Sequence, residues 1–311
     1  MYNYLFMIKK YNIDSDIKKA ETLPASFYKD QEVFEALKEF VFLKSWQWIG
    51  DDNQVNQAQS FYPFVLLDGY LTEPILLTKD ENDNINCLTN VCTHRGNIVA
   101  LHPGKTKKLT CMYHGRRFNL NGAFEYMPEF HDTEDFPRPC DNLHKFPLRI
   151  WEQFLFAGLN PKFDFQQVID KMNERIGFLP LNDFKLEKTL SKDFLVHAHW
   201  ALYCDNYLEG FHVPFVHDDL NKVLDYGSYK TEIYKYCNLQ IGYTDEATEV
   251  LDKFLSDALV NGWDEVIIYH GIGTGKLSYA VKNFLIAHPS VKKFDDAPQH
   301  LGGFGAKIVS L

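Results

Sequence analysis

Cys92-Thr93-His94-Arg95-Gly96 and Cys111-Met112-Tyr113-His114-Gly115 decide how this chain is read. Together they spell C-x-H, a gap of sixteen residues, then C-x-x-H. Each segment offers one thiol and one imidazole. Each ends on a glycine, Gly96 or Gly115, which lets the backbone turn tightly beside a bound group. The stretch between them is long enough for a hairpin that brings the two loops together. Four donors of these types suit a metal centre.

A Cys2His2 zinc site uses the same residue types, but zinc fingers typically keep the cysteines close together and the histidines close together. Here each loop supplies one of each. The pattern fits better a [2Fe-2S] cluster of the Rieske kind, with two cysteines on one iron and two histidines on the other. Neutral imidazoles make such a cluster less negative than an all-cysteine one and raise its reduction potential. The phrases CTHRG and CMYHGRRF closely resemble the Rieske domain of ring-hydroxylating and related oxygenases. Respiratory-chain Rieske proteins carry two further cysteines in these loops. None occurs here, which favours the oxygenase type.

The chain has 311 residues, 45% hydrophobic and 15% aromatic, enough for a sizeable core and for two or three domains. Its net charge of −10 argues against a general binder of nucleic acid or anionic membranes. Of six cysteines, the motif claims two; Cys87, Cys140, Cys204 and Cys237 form no regular framework, so a reducing, cytoplasmic setting is expected. The opening MYNYLFMIKK has no long apolar region or small-residue cleavage site. No run approaches the roughly eighteen apolar residues that suggest a membrane span.

Around the motif, short apolar runs (64–67, 75–78, 85–91, 149–157) alternate with Asp, Asn, Gly and Pro, the pattern of a small all-β domain. Asn121-Gly122 signals a hairpin turn. Upstream, Asp30 is placed to cap a helix carrying Val33, Phe34, Leu37, Phe40 and Val41. Downstream, residues 163–180 read as helix and 192–198 as a possible strand. Residues 200–211 read as a helix that aligns Asp205, Glu209 and His212 on one face. Pro214 ends it, and His217 follows after a turn. Two histidines and a carboxylate can hold a mononuclear Fe(II) with positions left open. A solvated polar helix face is the plainer alternative.

Residues 197–217, HAHWALYCDNYLEGFHVPFVH, resemble the start of the catalytic domain in Rieske oxygenase α subunits. On that resemblance His212 and His217 are iron ligands, Glu209 is the bridging carboxylate, and Asn206 and Asp205 lie near the iron. The family implies electrons from an NAD(P)H-dependent reductase, directly or through a ferredoxin. They reach the cluster at Cys92, His94, Cys111 and His114, then cross through Glu209 to the iron of a neighbouring subunit in a homotrimer. There O2 is used to hydroxylate or demethylate a small organic substrate, as in monooxygenases and dioxygenases. LNKVLDYGSYKTEIYKYCNLQIGYTDEATEV looks nearest to single-component oxygenases of small or quaternary-amine substrates.

The family's third iron ligand lies far beyond its second histidine, whereas 94 residues follow His217 here. Asp225 and Asp245 are the remaining candidates. From about Leu251 the pattern becomes an α-β-α-β unit: a stripe through Leu251, Leu255 and Leu259, a strand at 266–269, a stripe through Leu277, Val281 and Leu285, and a strand at 306–311. HGIGTGKL resembles the glycine loop of the small MutS-related (Smr) domain, whose acidic opening strand has no clear counterpart here. His270, Gly271, Gly273 and Gly275 would form a surface anion loop, binding DNA in such domains, or a plain glycine turn. The expected fold is α+β: a helical segment at 1–50, an all-β Rieske domain at 51–160, a truncated α+β catalytic domain at 161–250 and a small α/β unit at 251–311. That makes an oxygenase subunit the leading function. A cluster-only electron-transfer protein and a chimera whose tail binds DNA are the alternatives, and no membrane partner is expected.

Overall fold

The computed structural model describes residues 11–186, 188–189, 191–243, 247–271 and 276–311. It divides into two compact units, the first ending at Phe165 and the second starting at Gln166. Among the described residues, the first helix of the first unit is α1 (Gln31–Phe40). Asp30 caps it by accepting the Glu32 N–H at 3.0 Å, and Val33, Ala36 and Leu37 form its buried stripe. The helix is shorter than the apolar spacing suggested, because Val41 breaks into a 3₁₀ turn and strand β1 (Gln47–Asp51) follows.

Strands β2 (Ser60–Leu66), β3 (Glu73–Lys79), β4 (Ile85–Thr89) and β5 (Gly104–Lys105) form an antiparallel sheet in the order β4-β3-β2-β5. Strands β6 (Leu109–Thr110), β7 (Arg117–Phe118) and β8 (Phe124–Tyr126) form a second sheet. Asn121-Gly122 turns β7 into β8, with Gly122 at a φ of 87°. Strands β9 (Leu148–Trp151) and β10 (Phe154–Ala157) form a hairpin, and β1 pairs with β10. Residues 47–51 therefore belong to the β unit, although their sequence adjoins the helix.

β3 explains how the β domain holds together. Its run Ile75-Leu76-Leu77 is fully buried because both faces of the sheet are covered. Ile75 and Leu77 pack with Ile49, Val55, Leu66 and Leu155. Leu76 points the other way, into a core with Leu88, Val99, Leu109, Phe118 and Leu120 that also contains Cys92 and Cys111.

The second unit begins with α2 (Gln166–Ile176). The strand expected at 192–198 does not form; that stretch is exposed and irregular, so its apolar alternation meets no pairing partner. Helix α3 (Trp200–Tyr207) stops four residues earlier than expected and is followed by short helices α4 (Val213–Val216) and α5 (Asp218–Val223). Strands β11 (Asp225–Ile233) and β12 (Asn238–Tyr243) pair as a hairpin. Then come α6 (Ala247–Val260), β13 (Glu265–Tyr269), α7 (Lys276–Ala287), β14 (Lys293–Asp296) and β15 (Ala306–Ser310).

The last three strands form an antiparallel sheet with β15 in the middle. Leu251, Leu255 and Ala258 meet Val266, Ile268, Val281, Leu285 and Val309 beneath it. Strand β14 escaped the sequence reading because KFDD is a short charged edge with no apolar alternation. Among the described residues no helix is long and apolar enough to cross a membrane.

Leu76→Ala is expected to lower the unfolding free energy by about 2–5 kcal/mol. A lower urea midpoint at unchanged slope is the readout; a shift inside experimental error would show that the β3 core can collapse around the loss.

Candidate functional site

The two cysteine–histidine loops close in the same way. Cys92 N–H donates to Asn97 at 2.8 Å and Gly96 N–H to Cys92 at 3.0 Å. Cys111 N–H donates to Arg116 at 2.8 Å and Gly115 N–H to Cys111 at 3.0 Å. Gly96 and Gly115 stand at φ of 71° and 70°, where a side chain would be strained. The bridge Val91–Ile98 flanks one loop and the pair Thr110–Arg117 the other. One histidine is two residues after its cysteine and the other three, yet the backbone frame is shared.

That frame turns the thiols inward and the rings outward. Cys92 and Cys111 are 3% and 2% exposed. His94 and His114 are half-buried, with ring centroids 4.7 Å apart at 71°. Tyr113 covers His114 at 3.8 Å and Phe130 approaches His94 at 6.1 Å.

Burial pushes the Cys92 thiol up, and its contact with Cys111 adds to this. Burial also opposes charge on Cys111. The backbone N–H groups of Tyr113 and His114, the Cys92 thiol and the Asn97 amide, 3.6 Å from the sulfur, outweigh it and hold Cys111 below the usual thiol range. The two thiols thus share one easily formed thiolate, and burial opposes the second charge. Burial, then the neighbouring His114, Arg95 and Arg116, pushes His94 down toward its neutral, electron-donating form.

Two touching thiols inside and two facing imidazoles outside fit a [2Fe-2S] cluster that takes sulfur ligands on one iron and nitrogen ligands on the other. A single ion would draw all four donors to one point. Cys92, His94, Cys111 and His114 are the residues that would hold the cluster.

Arg116 and Asp141 escaped the sequence reading. Arg116 is 2% exposed, and its guanidinium lies 4.9 Å from the Phe124 ring and 5.7 Å from those of Phe118 and Phe136. Its Nη2 donates to Asp141 Oδ1 at 2.7 Å. The visible signal was an arginine directly after the motif glycine.

The second constellation is built by a turn rather than by one helix face. Because α3 ends at Tyr207, the expected i, i+4, i+7 alignment is lost. Asp205 and Asn206 are exposed on its last turn. Glu209 Oε1 instead reaches back to His212 Nδ1 at 2.6 Å, and its second oxygen accepts the Phe211 N–H. The His212 contact, with that N–H, holds Glu209 below the usual carboxylate range. The turn of α4 brings His217 to 5.1 Å from His212 between ring centroids, at 71°. Gly210 is required here: a Cβ would lie 2.6 Å from the Tyr229 ring. Tyr229 bonds Gln240, which donates to the Tyr207 carbonyl, so the β11–β12 hairpin supports this turn.

Asp225 turns its carboxylate to the Gly227 N–H at 3.1 Å, and Asp245 lies outside the described residues. Among the described residues, no three His, Cys, Asp or Glu side chains gather around one ion-sized point.

In the tail, Ile272–Gly275 lie outside the described residues, and with them Gly273 and Gly275. His270, expected at the surface, is 8% exposed. The N–H groups of His270 and Gly271 both donate to the Gly305 carbonyl at 2.9 Å, extending the β13–β15 ladder and drawing the ring inside. Its Nδ1 meets the Gly271 carbonyl at 2.8 Å, and its Nε2 has no hydrogen-bond partner among the described residues.

Comparison with known proteins follows this division. Residues 45–137 match the Rieske [2Fe-2S] domain, and residues 238–311 match the Smr domain. The second match opens at Asn238, the first residue of β12. The chain is 24% identical over 266 residues to the chloroplastic choline monooxygenase of Arabidopsis thaliana, covering 81% of this chain and 62% of that protein. It is 26% identical over 238 residues to the carnitine monooxygenase oxygenase subunit of Escherichia coli K12, covering 75% and 62%. A solved quaternary ammonium Rieske monooxygenase in complex with L-carnitine superposes with a TM-score of 0.59 at 24% identity, over 72% of this chain and 63% of that one. The chain thus spans about three-fifths of the length of these relatives, and the structural likeness establishes a shared fold.

A pH dependence follows from Asp141. Burial alone would raise its carboxyl, but Arg116 and the Arg138 N–H hold it below the usual range. Its contribution to stability is therefore fully present above about pH 4 and lost as pH falls through the lowered folded value. Asp141→Asn should flatten this limb of the urea-midpoint profile between about pH 5 and 2. An unchanged acid limb in the variant would show that other carboxylates set it.

Proposed function

We propose that this chain, which carries a Rieske domain, is an oxygenase subunit acting on a small organic substrate. A quaternary ammonium compound is the favoured class, by similarity to the choline and carnitine monooxygenases. The observation that carries this reading is the paired arrangement of the motif: thiols buried together, imidazoles together at the rim. Cys92, Cys111, His94 and His114 would hold the [2Fe-2S] cluster, which supplies one-electron transfer when bound. The electrons would come from an NAD(P)H-dependent reductase, directly or through a ferredoxin. The rim position of the imidazoles gives them a short path to such a donor.

His212 and His217 would hold a mononuclear Fe(II), the site of O2 activation in this class of enzyme. Glu209 takes the Nδ1 side of His212, which fixes the ring and leaves Nε2 free as a ligand. In a homotrimeric ring, Glu209 would also face the imidazole rim of a neighbouring copy. Asn206 and Asp205 would lie toward solvent beside this path.

A second reading is favoured by one observation. Asp225 is committed to its own turn, and among the described residues no carboxylate supplies a third ligand beside His212 and His217. On that reading the chain keeps the cluster alone and transfers electrons without an oxygenase reaction.

Metal analysis separates the two: about three irons per chain are expected for the oxygenase, and about two for a cluster-only protein. A chain that binds no iron refutes both. Cys92→Ser should abolish the visible absorption of the cluster, since a hydroxyl is a poor ligand for a soft site. Glu209→Gln should leave that absorption intact while turnover of a quaternary ammonium substrate falls by about 10–100-fold. Full turnover in this variant would remove Glu209 from the path.

A further inference from the structure

Thr93 and Arg116 stand on different cluster loops but end on the same atom. Thr93 Oγ1 donates to the main-chain carbonyl of Asp141 at 2.8 Å. Arg116 Nη2 donates to that carbonyl at 3.1 Å and to the Asp141 carboxylate at 2.7 Å. The other carboxylate oxygen accepts the Arg138 N–H at 2.7 Å, which closes the turn Pro139–Asp141 on itself. The residues that follow are fastened to the β7–β8 hairpin. Asn142 Oδ1 accepts the Phe124 N–H at 2.7 Å, and the Leu143 N–H reaches the Gly122 carbonyl at 2.9 Å.

This matters because the two loops belong to different sheets. Cys92 follows β4 of the four-stranded sheet, and Cys111 follows β6 of the three-stranded one. The strand ladders therefore do not set the spacing between the two halves of the donor set. Residues 143–146 tie the two sheets through main-chain bonds, Thr89 N–H to His144 and Leu143 N–H to Gly122, and the 139–141 turn just before them is where side chains from both ligand loops meet. A buried ion pair is a costly way to add stability, since both charges lose their water. It is an effective way to fix geometry, because a planar guanidinium binds its acceptors in set directions where an ammonium does not.

We infer that Asp141 is a positioning residue for the cluster. Through Thr93 and Arg116 it locks the two ligand loops into one arrangement, so that the His94–His114 pair is preset and the bound cluster is retained. This rests on the reading of Cys92, His94, Cys111 and His114 as ligands, and extends it to residues that touch no metal.

The test uses the full chain with its cluster bound, comparing wild type with Thr93→Val, Arg116→Lys and the double variant. The first is isosteric and half-buried; the second keeps the charge and loses the planar fork. Three properties are read: the rate at which excess chelator bleaches the visible absorption, the electron paramagnetic resonance spectrum of the reduced cluster, and the midpoint of thermal unfolding. Each single variant should lose its cluster at least about fivefold faster and show a broadened spectrum, and the double variant should fall well short of the product of the singles, because both act through one turn. Thr93→Val should do this without lowering the unfolding midpoint by more than about 2 °C, which a merely structural role would not allow. Single variants with the wild-type spectrum and bleaching rates within about twofold of wild type overturn the inference, as does a double variant equal to the product of the singles. If wild type itself binds no cluster, the ligand assignment has failed. If wild type is fully loaded and the variants match it, only the positioning role has failed.

Discussion

The burial of two thiols in a shared apolar core is the constraint on which the first unit depends. Cys92 and Cys111 pack among the same side chains, Leu76, Leu88, Val99, Leu109 and Phe118, that hold two sheets together. A metal centre placed there is part of the core rather than an attachment to it. Folding and cluster binding are then coupled, since the donors must be deprotonated and assembled at the same place. The same arrangement leaves the imidazoles at the rim. A cluster held there is insulated on its sulfur side and accessible on its nitrogen side.

The charged groups nearby follow from that burial. An apolar pocket disfavours two thiolates, so the loops aim backbone N–H groups and the Asn97 amide at Cys111. Arg116 adds a positive charge within the core, and its own burial requires Asp141 beside it and aromatic rings around it. One buried ion pair thereby serves two ends. It balances the charge of the guanidinium, and it ties a turn far along the chain to both ligand loops.

The second unit is governed by two less connected demands. The turn after α3 needs Gly210, Tyr229 and Gln240 to hold Glu209 against His212. The last helices and strands bury a core of their own around Leu255, Ala258 and Val309. Strand β12 serves both: it carries Gln240 beneath the histidine turn, and it opens the stretch that matches the Smr domain.

Local chemistry was legible in the sequence because it needs few residues at fixed spacing. The four donors, the glycines that close their loops, the Asn121-Gly122 turn, the Asp30 cap and the apolar stripes of the tail all act within a few positions of one another. Elements that depend on distant partners were not legible. Strand β1 exists because Phe154–Ala157 pairs with it, and β14 because β15 lies alongside. Residues 192–198 carry strand-like alternation but have no neighbour to complete it. Helix α3 stops short of Glu209, so the carboxylate meets His212 through a turn rather than along a helix face. Asp141 is unremarkable in sequence, 25 residues from Arg116 and 48 from Thr93. Only the packing of two sheets brings it under both loops, because spacing along a chain specifies neighbours within a turn, whereas contacts across a core are specified by which surfaces must be buried together.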